Sequence, residues 1–240
     1  MPWKTHPHRR LITATFISYA FTLIAAPATY AAGMIPETTV VILDEGVGEK
    51  TINIKNSDAS PALLYSSIEN LEDDQENLIV LTPPVARVEP GETQAVRFLL
   101  NSPTPLKVQR LRRVTFEGIP PKENSAGARI GMNVRQNLPV IINPKGLEKE
   151  PEPWTHLKWS VHGKNLTVEN PSPYVVRLGQ SVNVLPSNAV ASLPKLYVLP
   201  NEKITVALPS EVKSGATAIK IQPATVYGFS VESYEAPLSN

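Results

Sequence analysis

Four histidines and no cysteine limit the chemistry open to this chain of 240 residues. His6 and His8 stand in the first ten residues, ahead of an apolar run. His156 and His162 have no acidic or cysteine companion at the spacing of a metal site, and they read as surface or linker residues. No serine stands in a G-x-S-x-G turn, where a nucleophile would be presented. Asp73 and Asp74 belong to the polar run 71–77, which reads as a solvated loop rather than an acid/base pair. Asn165-Leu166-Thr167 fits a glycosylation sequon, a short signal that carries little weight alone. Trp154 and Trp159 read as packing at the interdomain junction or in the second core, with the lining of a cleft as the lesser alternative. The residue types predict a protein without catalytic residues, cofactor or metal, so its chemistry is recognition by backbone and apolar side chains.

One stretch suits that kind of recognition. In residues 128–142 (ARIGMNVRQNLPVII), Ile130, Met132, Val134 and Leu138 share one parity. Arg129, Gly131, Asn133, Arg135 and Asn137 share the other. Such alternation puts the apolar set on one face of an extended strand. Pro139 cannot donate a ladder hydrogen bond, which argues against a central position in a sheet. Two readings follow: an edge strand whose apolar row is kept for a partner chain, or an ordinary half-buried strand of a sandwich.

The elements that must position this strand come from the rest of the chain. Lys4, Arg9 and Arg10 precede an apolar run from Leu11 to Pro27, and small residues follow through Ala32. That pattern predicts a secretory signal peptide over 1–32, cleaved just after Ala31 or Ala32. A membrane anchor fits less well, because no basic flank follows and Thr13, Thr15, Ser18 and Thr22 dilute a short segment. Removing Lys4, Arg9 and Arg10 from 23 Lys and Arg leaves 20, against 22 Asp and Glu. A chain so balanced offers no footprint for nucleic acid, and no later segment is apolar for long enough to insert stably in a membrane. Twenty-four prolines and short β-branched runs predict an all-β fold with many turns. About seven strands before residue 143, spaced by about ten residues, describe an immunoglobulin-like sandwich. Residues 144–153 (PKGLEKEPEP) lack periodicity and read as a linker. A second, smaller sandwich should then occupy 154–240, with a first strand over 154–159 and a late one over 227–231.

Four pieces carry a family resemblance. Residues 82–91 (TPPVARVEPG) are followed by Gln94-Ala95-Val96-Arg97; residues 114–121 end in Ile-Pro-Pro; residues 130–144 end in an apolar run and a proline; residues 166–174 read LTVENPSPY. In this order they resemble the periplasmic chaperones of the chaperone–usher pathway, which assembles bacterial pili. The short loop before Ile130 and the missing cysteines look like the short-loop branch. The resemblance implies two immunoglobulin-like β-sandwich domains arranged as an angled, boomerang-like pair, over 33–143 and 154–240, with a subunit-binding cleft between them. It also implies that 128–142 is a donor strand lent to pilus or fimbrial subunits until an outer-membrane usher exchanges it. Ile130, Met132, Val134 and Leu138 would then fill the subunit's groove, each buried side chain contributing roughly 1.5–3 kcal/mol. Self-association is one way for the free chain to hide such an edge.

The chain also departs from that family. Where the resemblance implies an arginine and a lysine that hold the subunit's terminal carboxylate, it has Val40 and Pro139. The places of the family's interdomain charge cluster fall near Gln109, Asn143 and Val226. Arg135, Arg112 and Arg113 are the candidates for another carboxylate anchor, with solvated sandwich surface as their alternative reading. The rival functions are an exported structural or adhesive sandwich such as a fimbrial subunit, and an exported enzyme on a β scaffold. A subunit would carry its donor segment near the mature N-terminus, whereas this alternating strand lies mid-chain.

Overall fold

Short alternating runs punctuated by Pro, Gly and Asn favour strands and tight turns over helices. The structure, a computed structural model, accordingly holds nineteen strands and one 3-10 turn among its described residues. Those residues are Met1, 33–121, 134–208, 210, 212, 215–225 and 227–239. No helix among them is long and apolar enough to cross a membrane. Residues 2–32 of the leader expected over 1–32 and the strand positions 128–133, with Ile130 and Met132, lie outside the described residues.

The first sandwich contains β1 (Met34–Pro36), β2 (Val41–Asp44), β3 (Glu49–Asn56), β4 (Ala62–Glu69), β5 (Ile79–Thr82), β6 (Val85–Val88), β7 (Thr93–Leu100), β8 (Arg110–Ile119) and β9 (Arg135–Asn143). One sheet runs β1-β3-β7-β5 and the facing sheet runs β2-β9-β8-β4-β6. Alternate residues of each sheet turn inward. Ile52 and Ile54, Leu64, Val96 and Phe98, and Val114 and Phe116 meet in one buried core. β1 was not predicted from the pattern, because three residues are too few to show a period.

The second sandwich contains β10 (Lys158–His162), β11 (Asn165–Glu169), β12 (Val176–Leu178), β13 (Ser181–Leu185), β14 (Ala189–Ser192), β15 (Tyr197–Val198), β16 (Lys203–Ala207), β17 (Ala218–Ile221), β18 (Pro223–Ala224) and β19 (Tyr234–Pro237). The strand expected over 154–159 is instead a 3-10 turn, Pro153–His156, leading into β10. Pro153 starts that turn, where a missing N–H costs nothing. Trp154 and Trp159 both lie in the second core. Residues 227–231 do not form the expected strand: Thr225 N–H donates to the Phe229 carbonyl and Gly228 N–H to the Thr225 carbonyl, closing a tight turn.

Neutral contacts join the sandwiches. Val40, Leu111 and Ile141 of the first cluster with Val175 of the second, and Leu71, Tyr197 and Leu199 pack against them. Gln109 N–H donates to the Pro173 carbonyl at 2.8 Å, and the Gln109 side-chain oxygen accepts from Val175 N–H at 2.7 Å. The Gln109 amide also donates to Asn143 Oδ1 at 2.8 Å, and Asn143 donates to Asp44. Where the resemblance implies a charge cluster, two amides therefore make the joint, with Val226 outside the described residues.

Candidate functional site

β9 is paired with β8 from Arg135 opposite Glu117 to Ile142 opposite Arg110. On its other side β2 pairs with it in parallel, but only from Val140 to Asn143. Among the described residues, 135–139 therefore form an open sheet edge that closes just past Pro139. Unpaired N–H and C=O groups on such an edge are a template for another strand.

The apolar parity divides along this strand. Leu138, Val140 and Ile142 point into the core of the first sandwich, whereas Val134 is 36% exposed and Leu138 only 6%. This corrects the expectation for Leu138, whose side chain is already buried in its own domain. Alternation fixed the face but not the point at which the chain's own core stops covering it.

The three candidate arginines differ as sharply. Arg112 is fully buried and grips the Asp74 carboxylate with two hydrogen bonds of 2.7 Å, while also donating to the carbonyls of Leu111 and Glu76. It cannot reach a subunit's carboxylate without abandoning Asp74, which removes it from the candidates. Nor is Asp74 the solvated residue expected, because Arg110 forks onto it as well. Burial alone would raise the Asp74 pKa; the hydrogen bonds and charges of Arg110 and Arg112 overcome this and hold it far below the usual carboxylate range. Arg135 lies on the outer face in an ion pair with Glu69 at 2.6 Å.

Arg113 is placed differently. It is half-buried opposite Pro139, and it donates to the side chain and carbonyl of the neutral Asn137. Burial lowers its pKa, against the opposing pull of Glu69 and Tyr197. Arg177, on β12 beside Tyr197, is lowered by burial and then by the charge of Arg113. The two guanidiniums therefore feel each other's charge across the joint. Sequence reasoning missed Arg177, which is isolated in the sequence and reaches Arg113 only through the packing of one sandwich on the other.

Other polar clusters are structural. His156 has an acidic companion after all: its Nε2 lies 3.0 Å from Glu150, and its ring stacks on Tyr174. Tyr174 donates to the Glu148 carbonyl, tying the linker to the second sandwich. Among the described residues, no group of three or more His, Cys, Asp or Glu is arranged to hold a metal ion. A cavity of about 730 Å³ lies beside β2 and the linker and mixes carboxylates such as Glu37 and Glu148 with Lys50 and Lys149.

Two immunoglobulin-like sandwiches with an interrupted edge strand ahead of the linker define the class of protein. Residues 33–148 match the family described as pili and flagellar-assembly chaperone, PapD N-terminal domain. Residues 152–234 match the pili assembly chaperone PapD C-terminal domain. The chain is 40% identical over 223 residues to the uncharacterized fimbrial chaperone YhcA of Escherichia coli K12, covering 92% of this chain and 98% of that one. It is 31% identical over 186 residues to the chaperone protein FimB/FhaD of Bordetella pertussis, covering 71% and 75%. In fold it is similar to a chain of the Salmonella enterica SafA pilin–SafB chaperone complex, with a TM-score of 0.70 at 22% identity and coverage of 88% and 99%. The chain belongs to the pilus assembly chaperone family.

Proposed function

We propose that the mature protein is a periplasmic chaperone that lends β9 and the residues before it to pilus subunits, and passes them to an outer-membrane usher. The open edge at 135–139 supports this reading, beside an apolar row that leaves its own core between Leu138 and Val134. A subunit lacking a strand would gain ladder hydrogen bonds along that edge, each contributing roughly 1 kcal/mol. It would also gain the burial of Ile130, Met132 and Val134 in its groove. No bond is made or broken in this exchange, so the chain acts by binding and release and not as an enzyme. Its leader, residues 1–32, directs export and is removed after Ala31 or Ala32.

Arg113, supported by Arg177, takes the role of carboxylate anchor that Val40 and Pro139 cannot fill. The usher needs a surface clear of the donor edge, since the edge is occupied during delivery. Leu63, Tyr65, Val85 and Ile119 supply one on the outer face of β8-β4-β6, each between 40% and 49% exposed.

Affinity capture of the tagged mature protein from periplasm tests the function, with wild type and Met132→Asp side by side. Met132→Asp should bury an unpaired charge in the subunit's groove. Small secreted subunits recovered with the wild type alone support the reading. Equal recovery with both, or none with either while both remain folded, overturns it.

A further inference from the structure

We infer that Asp74 is a positioning residue for the joint between the two sandwiches, acting through the loop that joins β4 to β5. Its carboxylate accepts from two guanidinium forks: Oδ1 from an Nη of Arg110 and of Arg112, Oδ2 from Arg110 Nε and from the other Nη of Arg112. Glu76 completes the cluster, its carboxylate accepting from Arg110 at 3.0 Å and its carbonyl from Arg112 at 2.8 Å. Two cations and two anions balance within the cluster. The loop is stiffened locally, since Asp74 N–H and the Gln75 side chain both donate to the Leu71 carbonyl.

Both ends of this clamp lead to the joint. Arg110 directly follows Gln109, which hydrogen-bonds to Pro173 and Val175 of the second sandwich. Leu71 packs against Val40, Leu111, Ile141 and Val175, the apolar cluster shared by both sandwiches. One carboxylate therefore fixes the first residues of β8 and the loop leucine that packs beside them. Asparagine cannot replace it, because its amide would present N–H donors to two groups that only donate. The inference rests on the geometry of the joint and stands apart from the proposed function.

Interspin distance measurements on the mature protein test it. The sequence has no cysteine, so Lys55→Cys and Ser181→Cys, exposed positions in the first and second sandwich, are labelled without interference. The otherwise wild-type labelled chain should give one narrow distance. Asp74→Asn should lose it and give a broad distribution, and Asp74→Glu should restore much of it. Leu71→Ala removes the loop's contact while leaving the ion cluster intact, and should broaden the distribution too, which decides the matter if Asp74→Asn does not fold. A distribution as narrow as wild type in folded Leu71→Ala, and in Asp74→Asn where it folds, would overturn the inference and leave the cluster as a local brace of the first sandwich.

Discussion

Truncating Val134 and Leu138, four residues apart on one parity, should produce opposite phenotypes. Val134 is 36% exposed in the free chain, so about a third of its transfer free energy remains to be gained from a partner. For a side chain that contributes roughly 1.5–3 kcal/mol when fully buried, that leaves about 0.5–1 kcal/mol. Val134→Ala should therefore weaken subunit capture by about 2- to 6-fold, with little change in the chaperone's stability. Leu138 is 6% exposed and packs in the first core. Leu138→Ala should cost about 2–5 kcal/mol of folding stability and affect capture only through the folded fraction. Capture is measured by mixing equal amounts of wild type and variant with limiting denatured subunit and weighing the complexes by mass spectrometry. Stability is followed in urea by far-UV circular dichroism, which reports both sandwiches. Tryptophan fluorescence serves as the control, since Trp154 and Trp159 both report the second core. Loss of capture by Leu138→Ala at unchanged stability would refute the division, as would a loss of several kcal/mol of stability in Val134→Ala.

The same reasoning separates the arginines. Arg113→Ala should weaken subunit binding roughly 10- to 100-fold by removing a charge-assisted contact, whereas Arg112→Ala should chiefly destabilise the first sandwich, by about 3–5 kcal/mol; paired binding and urea measurements distinguish them. Asp74 has a folded-state pKa below its unfolded value, so its contribution is complete above the ordinary 3.8 and is lost as pH falls below it. The difference in urea midpoint between wild type and Asp74→Asn should shrink on acidification through that window; a constant difference would deny the ion cluster its role. Leu63→Asp on the outer face should leave subunit capture intact and abolish surface pili; capture lost together with pili would place the patch in the subunit interface.

The all-β class, the division into two sandwiches and the inward face of β9 were legible because each rests on local chemistry. Period-2 alternation, turn residues at short intervals and a linker without periodicity are read within windows of about ten residues. What the sequence could not show depends on what lies across the molecule. The alternating row runs from Ile130 to Leu138 with only Gln136 polar, yet the facing sheet covers Leu138 and leaves Val134 partly bare. Arg112 and Arg113 are adjacent and alike in composition, but strand parity sends one inward to Asp74 and the other outward to Asn137.

Asp74 read as a solvated loop residue because its neighbours are polar, and its two arginine partners lie 36 and 38 positions away. The replacement at the joint follows from the same distance in sequence. Gln109 and Asn143 look like lost charges until Val175 N–H and Pro173 C=O are seen beside them, satisfied by the Gln109 side chain and backbone. A neutral amide joint is little screened by salt, because neither partner carries a net charge. The geometry between the sandwiches therefore rests on packing around Val40, Leu111, Ile141 and Val175, held from one side by Asp74.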